Sequence, residues 1–214
     1  MSNYKKIIAF DCDSTLSKIE GIDELARLCD DETFRKVEEL TNQAMNGKIP
    51  IADVFTKRLD LIQPGKSMCD SIGELYIEEV EPTAKETIQT LQERGWHVLI
   101  VSGGFAPCIE ALADYLNIAV VEAVPLFFDE SGLYSGYDNS YPTTYNGGKT
   151  EILAALRHEH QPEKLVMVGD GVSDLEAAEV ADLFIAYTRY TAREAVTSKA
   201  SHCITSLSDC LALI

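Results

Sequence analysis

Short, uninterrupted apolar runs are the feature of this 214-residue chain that most restricts its fold. The runs IIAF, WHVLIV, LVMV and LFIA occupy residues 7–10, 96–101, 165–168 and 183–186. Such runs are typical of parallel strands that are buried on both faces of a sheet. Apolar residues with helical spacing, at 109–116 and 152–156, lie between them. The sequence therefore predicts an α/β fold with a doubly wound, Rossmann-like, mostly parallel sheet.

Two segments depart from this alternation of strands and helices. Residues 17–80 contain helix-like stretches and few strand signals, directly after the first strand. Residues 127–138, FFDESGLYSGYD, carry aromatic residues on both sides of a Ser-Gly turn, which favours a β-hairpin. We therefore expect an α/β core at 1–16 and 81–214, a helical cap domain at 17–80, and a small hairpin inserted in the core.

The composition restricts the possible partners. With 35 acidic and 18 basic residues the net charge is −17, which repels nucleic acid and anionic membranes. A membrane-spanning helix needs about 18 consecutive apolar residues, and no apolar stretch here approaches that length. The N-terminus does not resemble a signal peptide. The six cysteines form no CxxC pair and no zinc spacing, which favours reduced thiols. We expect a cytoplasmic protein without nucleic-acid or membrane partners; the oligomeric state stays open.

Polar residues follow three of the predicted strands. They are Asp11 and Asp13 after the first, Ser102 and Gly103 in a glycine-rich turn after the second, and Asp170 and Asp174 after the third. Lys149 opens a helix before the third of these strands. Each alone would be an ordinary turn former, helix cap or solvated charge. Together they predict one site, because ligands bind at the carboxyl ends of strands in such sheets.

Other metal and nucleotide motifs do not fit these residues. DCDSTL begins like an EF-hand loop, but Leu16 and Ile22 occupy the positions that need Gly and Glu. GGKT ends like a P-loop, but Thr143 stands at its first glycine position, and GDGVSD lacks the third glycine of a dinucleotide fingerprint.

The chemistry that remains is Mg²⁺-assisted phosphoryl transfer. Asp11 and Asp170 would supply the hard oxygen ligands that Mg²⁺ prefers. An aspartyl-phosphate would divide a difficult hydrolysis into two easier steps, and a second carboxylate would protonate the leaving alkoxide. Lys149 and Ser102 would hold the phosphoryl oxygens.

The stretches DCDST, SGG and GDGVSD, with the separate Lys149, resemble the four motifs of the haloacid dehalogenase-type phosphatases. Further stretches resemble the members of this family that act on O-phospho-L-serine; they are EGIDELA (20–26), AMNGKIP (44–50), RLDLIQP (58–64), VSGGF (101–105) and NGGKTEIL (146–153). The resemblance covers most of the chain. It implies Mg²⁺-dependent hydrolysis of phosphoserine to serine and phosphate through an aspartyl-phosphate, the last step of serine biosynthesis.

The resemblance also implies a role for each matching residue. Asp11 is the expected nucleophile, Asp13 the general acid and base whose backbone carbonyl reaches Mg²⁺, and Asp170 the third metal ligand. Asp174 is expected to order metal-bound water and Lys149. The phosphate-binding residues are Ser102, Gly103 and Lys149.

Substrate selectivity is expected to come from the segment 17–80. By resemblance, Glu20 and Arg58 hold the amino and carboxylate groups of the substrate, and Met45 lines the cap side of the pocket. Three features depart from the family pattern: Ile51 replaces a frequent Phe, Ser173 beside Asp174 replaces Asn or Thr, and residues 186–196 replace a Gly-rich turn. These bear on substrate preference.

Two alternatives remain open from the sequence. One is a related capped phosphatase or phosphotransferase that acts on another small phosphomonoester. The other is a receiver-like signalling module, which also carries acidic residues, a hydroxyl and a lysine at strand ends. Receiver modules lack a helical insertion after the first strand and do not need Asp13 as a proton donor. Multiple turnover of a phosphomonoester would exclude them.

Overall fold

The computed structural model describes residues 4–45 and 51–214, without the side chains of 42–45 and 51–52. Within these ranges the strands are β1 (Lys6–Phe10), β2 (His97–Phe105), β3 (Val120–Val124), β4 (Leu126–Phe128), β5 (Tyr134–Tyr137), β6 (Lys164–Gly169), β7 (Leu183–Tyr187) and β8 (His202–Ile204). The helices are α1 (Gly21–Arg27), α2 (Asp31–Met45), α3 (Ile51–Ile62), α4 (Lys66–Glu78), α5 (Ala84–Glu93), α6 (Ala106–Leu116), α7 (Gly148–His160), α8 (Val172–Glu176) and α9 (Glu194–Thr197).

The described strands form a parallel sheet in the order β3-β2-β1-β6-β7-β8, and β4 and β5 form a separate antiparallel hairpin. β1 lies in the middle because its residues 7–10 are completely buried and residues 8–10 pair with apolar residues on both sides. Phe10 is level with Ile100 of β2 and with Val168 of β6. The carboxyl ends of β1, β2 and β6 therefore lie side by side, and the strand order reverses between β1 and β6. The predicted α/β fold is confirmed.

The sequence patterns miss or misplace parts of the sheet. β3 and β8 are not predicted, because VVEAV contains a glutamate and HCI is only three residues long. β2 continues through Ser102 and Gly103 to Phe105, with a shift in its pairing to β3 between Val101 and Phe105. The prediction that Ser102 and Gly103 lie in a turn after the strand is therefore wrong: they lie in its irregular last part.

The segment after β1 contains the helices α1 to α4, which confirms the predicted helical insertion. An antiparallel bridge between Ser17 and Val80 joins its two ends. α4 packs closely on α6, since a Cβ added to Gly73 would lie 3.0 Å from the Cβ of Ala111. The division into domains at residues 17 and 80 stays a prediction.

The predicted hairpin is also confirmed, and it contacts the helical insertion. The Tyr137 hydroxyl lies 2.6 Å from the Thr56 hydroxyl, and the Phe55 ring packs beside the Tyr137 ring. The backbone N–H of Lys66 donates to the carbonyl of Gly132 at 2.8 Å. Among the helices that the structure describes, none is long and apolar enough to cross a membrane.

Candidate active site

Asp11 lies where β1 ends, with its carboxylate facing Lys149. Its backbone N–H donates to the carbonyl of Val168 at 2.9 Å, so the sheet fixes its position. Its Oδ1 accepts a hydrogen bond from the Cys12 N–H at 2.8 Å and lies 2.8 Å from Lys149 Nζ. One carboxylate oxygen is thus held by two donors, and Oδ2 has no hydrogen-bond donor among the described residues.

A tight turn, Cys12–Leu16, follows Asp11 and leads the chain towards the helical insertion; Asp13 and Ser14 within it have non-helical backbone angles. Within it Ser14 has a φ of 51°, in the left-handed region, and its hydroxyl donates to Glu20 Oε1 at 2.7 Å. This turn places Glu20 near Asp13. Burial, followed by the charges of Glu20 and Asp11, raises the pKa of Asp13 to about 8.

Lys149 lies between two carboxylates. Its Nζ is 2.6 Å from Asp174 Oδ1, in addition to its contact with Asp11. Asp174 is completely buried, and its Oδ2 accepts the backbone N–H of Gly171 at 2.9 Å. Burial lowers the pKa of Lys149, but Asp11 and Asp174 outweigh it and hold this pKa above its ordinary value. The ammonium group therefore stays charged.

Asp170 contacts an arginine that the sequence motifs do not indicate. Arg193 Nε donates to Asp170 Oδ2 at 3.2 Å, and Arg193 Nη2 lies 4.0 Å from Glu20 Oε1. Arg193 belongs to 186–196, the segment that departs from the family pattern. In the sequence, only that departure draws attention to Arg193. In the structure, Arg193 lies between Asp170 and Glu20 and contacts both.

Ser102 is fully buried at the end of β2, and its Oγ accepts the backbone N–H of Gly104 at 3.0 Å. A Cβ placed on Gly104 would lie 3.2 Å from Ser102 Oγ and 3.4 Å from Asp13 Oδ2. The side chains of Ser102 and Asp13 therefore both approach Gly104, whose lack of a side chain leaves room for them. Gly103 is exposed beside them, where its backbone can face a ligand.

The remaining predicted residues lie in or near the helical insertion. Arg58 donates from Nη1 to Thr41 Oγ1 at 3.3 Å, while its buried Nε has no hydrogen-bond partner among the described residues. Glu20 contacts Ser14 and Arg193, and the structure shows no ion pair between Glu20 and Arg58 in the residues it describes. Ser173 is exposed on α8. The Met45 side chain and that of Ile51 lie outside the described residues.

Three buried carboxylates form a cluster that fits a metal ion. Ligand oxygens of Asp11, Asp170 and Asp174 lie within 4.8 Å of one another. Burial, followed by the charges of Asp11 and Asp174, raises the pKa of Asp170 to about 8. Burial and then Asp11 raise that of Asp174 to about 7, despite Lys149. Fully ionised, the three carboxylates would carry more negative charge than Lys149 and Arg193 compensate, and a divalent cation would relieve this repulsion.

The fold and this acidic cluster define a haloacid dehalogenase-like hydrolase, and residues 5–182 match the model of that family. The phosphoserine phosphatase of Bos taurus is 38% identical over 206 residues, covering 95% of this chain and 91% of the relative. A solved structure of a phospho-aspartyl intermediate analogue of phosphoserine phosphatase is 30% identical, with a TM-score of 0.78 and coverage of 98% and 99%. A substrate-bound phosphoserine phosphatase complex is 29% identical, with a TM-score of 0.80 and coverage of 98% of each chain.

The chain belongs to the phosphoserine phosphatases of this hydrolase family. The family resemblance drawn from the motifs is thereby confirmed, and the receiver-like alternative loses its support.

Proposed function

We propose that the protein hydrolyses O-phospho-L-serine to L-serine and phosphate with Mg²⁺. The observation that supports phosphoserine as the substrate concerns the Arg58 guanidinium. Its buried Nε has no hydrogen-bond partner among the described residues. An unsatisfied buried cationic donor is costly, and a substrate carboxylate would satisfy it. The substrate class agrees with the substrate-bound relative and with the curated relatives named phosphoserine phosphatase.

In the first step a carboxylate oxygen of Asp11 attacks phosphorus, and the bond between phosphorus and the serine oxygen breaks. Cys12 N–H and Lys149 hold Asp11 Oδ1, which leaves Oδ2 for this attack. The Asp13 carboxyl gives its proton to the departing serine alkoxide. Its raised pKa, about 8, keeps it protonated at neutral pH.

In the second step the Asp13 carboxylate takes a proton from water, which attacks the phosphorus of the aspartyl-phosphate and releases phosphate and Asp11. Ser102, Gly103 and Lys149 would bind the phosphoryl oxygens throughout. Asp174 would keep Lys149 directed at Asp11, since its two oxygens are held by Lys149 and the Gly171 N–H. Mg²⁺ held by Asp11, the Asp13 carbonyl and Asp170 would neutralise charge on the phosphoryl group.

We assign substrate selectivity to residues 17–80, acting as a cap over the carboxyl edge of the sheet. Arg58 would bind the carboxylate of phosphoserine and Glu20 its ammonium group, with Met45 on the same side. A cytoplasmic location and the lack of nucleic-acid and membrane partners remain predictions from composition.

Phosphoserine is expected to exceed phosphoethanolamine, which lacks the carboxylate, and phosphoglycerate, which lacks the amine, by at least about 10²-fold in kcat/KM. Steady-state assays with Mg²⁺ measure this, with and without a competing alcohol that would reveal phosphotransfer. Arg58→Lys should remove most of the preference over phosphoethanolamine, because lysine cannot bind a carboxylate bidentately.

Arg35→Lys, at an exposed arginine of α2, is the matched control and should leave the preference unchanged. Equal turnover of the three esters by the unaltered chain would contradict the phosphoserine assignment and leave a broader phosphatase.

Mg²⁺ is expected to stabilise the chain more at pH 7.5 than at pH 5.5. The pKa of Asp170, a proposed metal ligand, is raised from 3.8 to about 8, so between these values the folded chain binds more protons than the unfolded chain. Stability without metal therefore falls as pH rises through this window, and Mg²⁺ competes with those protons. At about 100 times its Kd, Mg²⁺ should raise the Tm at pH 7.5 by about 5–10 °C.

Thermal unfolding with Mg²⁺ or with chelator, at both pH values, measures how much Mg²⁺ raises the Tm; this difference in Tm is the increment. Asp170→Asn should reduce it. An increment of equal size at both pH values would contradict the prediction.

A further inference from the structure

A tyrosine of the helical insertion reaches the proposed acid and base. Tyr76 lies on α4 and is completely buried, and its hydroxyl donates to Asp13 Oδ1. A buried tyrosine hydroxyl requires a polar partner, and here that partner is a carboxylate in the site. The apolar spacing of α4 gives no hint of this contact, because Tyr76 follows Cys69 and Ile72 on one buried face like an ordinary core residue.

Gly21 makes this contact possible. Its backbone N–H donates to the same Asp13 oxygen at 3.1 Å. A Cβ at residue 21 would lie 2.1 Å from the Tyr76 hydroxyl oxygen, so any side chain there would displace the tyrosine. The absence of a side chain at the start of α1 thus lets two donors, one from α1 and one from α4, reach Asp13 Oδ1.

The two donors distinguish the oxygens of Asp13. A carbonyl oxygen is a better acceptor than a hydroxyl oxygen, so the two donors on Oδ1 favour placing the acidic proton of a protonated carboxyl on Oδ2. Oδ2 lies on the side of Gly104 and Ser102, where a Cβ on Gly104 would be 3.4 Å from it. That side carries the residues proposed to bind the phosphoryl group. The proton is therefore held on the oxygen that lies on the side of the proposed phosphoryl site.

We propose that Tyr76 is a positioning residue that orients the Asp13 carboxyl so that Oδ2 delivers the proton to the leaving alcohol. The proposal rests on the proposed function, in which Asp13 is the acid. Because Tyr76 belongs to α4, the orientation of Asp13 depends on the helical insertion being packed over the sheet edge.

Tyr76→Phe removes only the hydroxyl and tests this role. The measured quantity is kcat/KM, which covers the steps up to departure of the alcohol, for phosphoserine and for p-nitrophenyl phosphate. The nitrophenolate leaves without a proton, so Asp13 orientation matters little for it. We expect a loss of about 10–100-fold with phosphoserine, the size of the penalty for removing a donor from a buried acceptor, and less than about 2-fold with the aryl ester.

Two further variants make the test specific. Asp13→Asn should show the same dependence on leaving group with a larger loss, and adding Tyr76→Phe to it should cause little further loss, as in a double-mutant cycle. Tyr187→Phe is the matched control, because Tyr187 is also completely buried but lies on β7 beside Tyr190. Tyr187→Phe should change kcat/KM by the same factor for the two esters. Thermal unfolding reports whether each variant folds.

Equal losses on both esters in Tyr76→Phe would overturn the proposal and leave Tyr76 a packing residue. If Tyr76→Phe does not fold, Gly21→Ala displaces the same hydroxyl and must show the same leaving-group pattern, or the proposal fails. The proposed function fails separately, if the unaltered chain does not hydrolyse phosphoserine or if Asp13→Asn shows no dependence on leaving group.

Discussion

Asp11→Asn is expected to reduce kcat by more than about 10⁴-fold while the chain stays folded. The Asn carbonyl oxygen can take the place of Oδ1 and still accept the N–H of Cys12 and the ammonium of Lys149. What the substitution removes is the anionic Oδ2, the oxygen proposed to attack phosphorus. The loss is therefore chemical, with little change in packing.

Acid-quenched reactions with labelled phosphoserine, followed by peptide mapping, locate the phosphoenzyme. We expect the label on Asp11 and none in the asparagine variant. Asp182→Asn is the matched control. Asp182 also accepts a backbone N–H, from Leu165 at 2.7 Å, but at the amino end of β6, away from the site. A label on another residue, or appreciable turnover by Asp11→Asn, would contradict the assignment of the nucleophile.

The sheet and the acidic cluster could be predicted because they depend on local patterns. A run such as Ile7–Phe10 is apolar at each position and has one favourable place, the middle of a covered parallel sheet. Once such strands are parallel, residues directly after them lie at one edge. That argument predicts Asp11 and Asp170 side by side, and the structure places them within one carboxylate cluster.

Residues from the loops and the insertion could not be found this way. Tyr76 and Asp13 are 63 positions apart, and Arg193 and Asp170 are 23 apart. These contacts depend on how α4 and the segment after β7 turn towards the site, which apolar spacing does not determine. Gly21 alone does not indicate the contact between Tyr76 and Asp13, since a glycine at a helix start has several explanations. The contact of Arg193 with Glu20 likewise depends on the course of the segment after β7.

Lys149→Met is expected to lower the free energy of unfolding by about 3–5 kcal/mol in chelator at neutral pH. It leaves Asp11 and the fully buried Asp174 without their shared cation. An exposed pair of the same length is the matched control: Lys36 Nζ lies 2.6 Å from Glu32 Oε1, as Lys149 Nζ lies from Asp174 Oδ1. Lys36→Met should cause no measurable change, because water already solvates both partners.

Urea unfolding of both variants measures the difference, and a third variant tests its cause. In Lys149→Met with Asp174→Asn, one uncompensated carboxylate is gone, so this double variant should be more stable than Lys149→Met alone. Mg²⁺ should also recover part of the loss in Lys149→Met, because it would compensate the carboxylates that the lysine no longer pairs with. If Lys149→Met and Lys36→Met have equally small effects, burial is not what makes the Lys149 pair strong. The cluster would then be solvated enough to hold its charges without a shared ammonium.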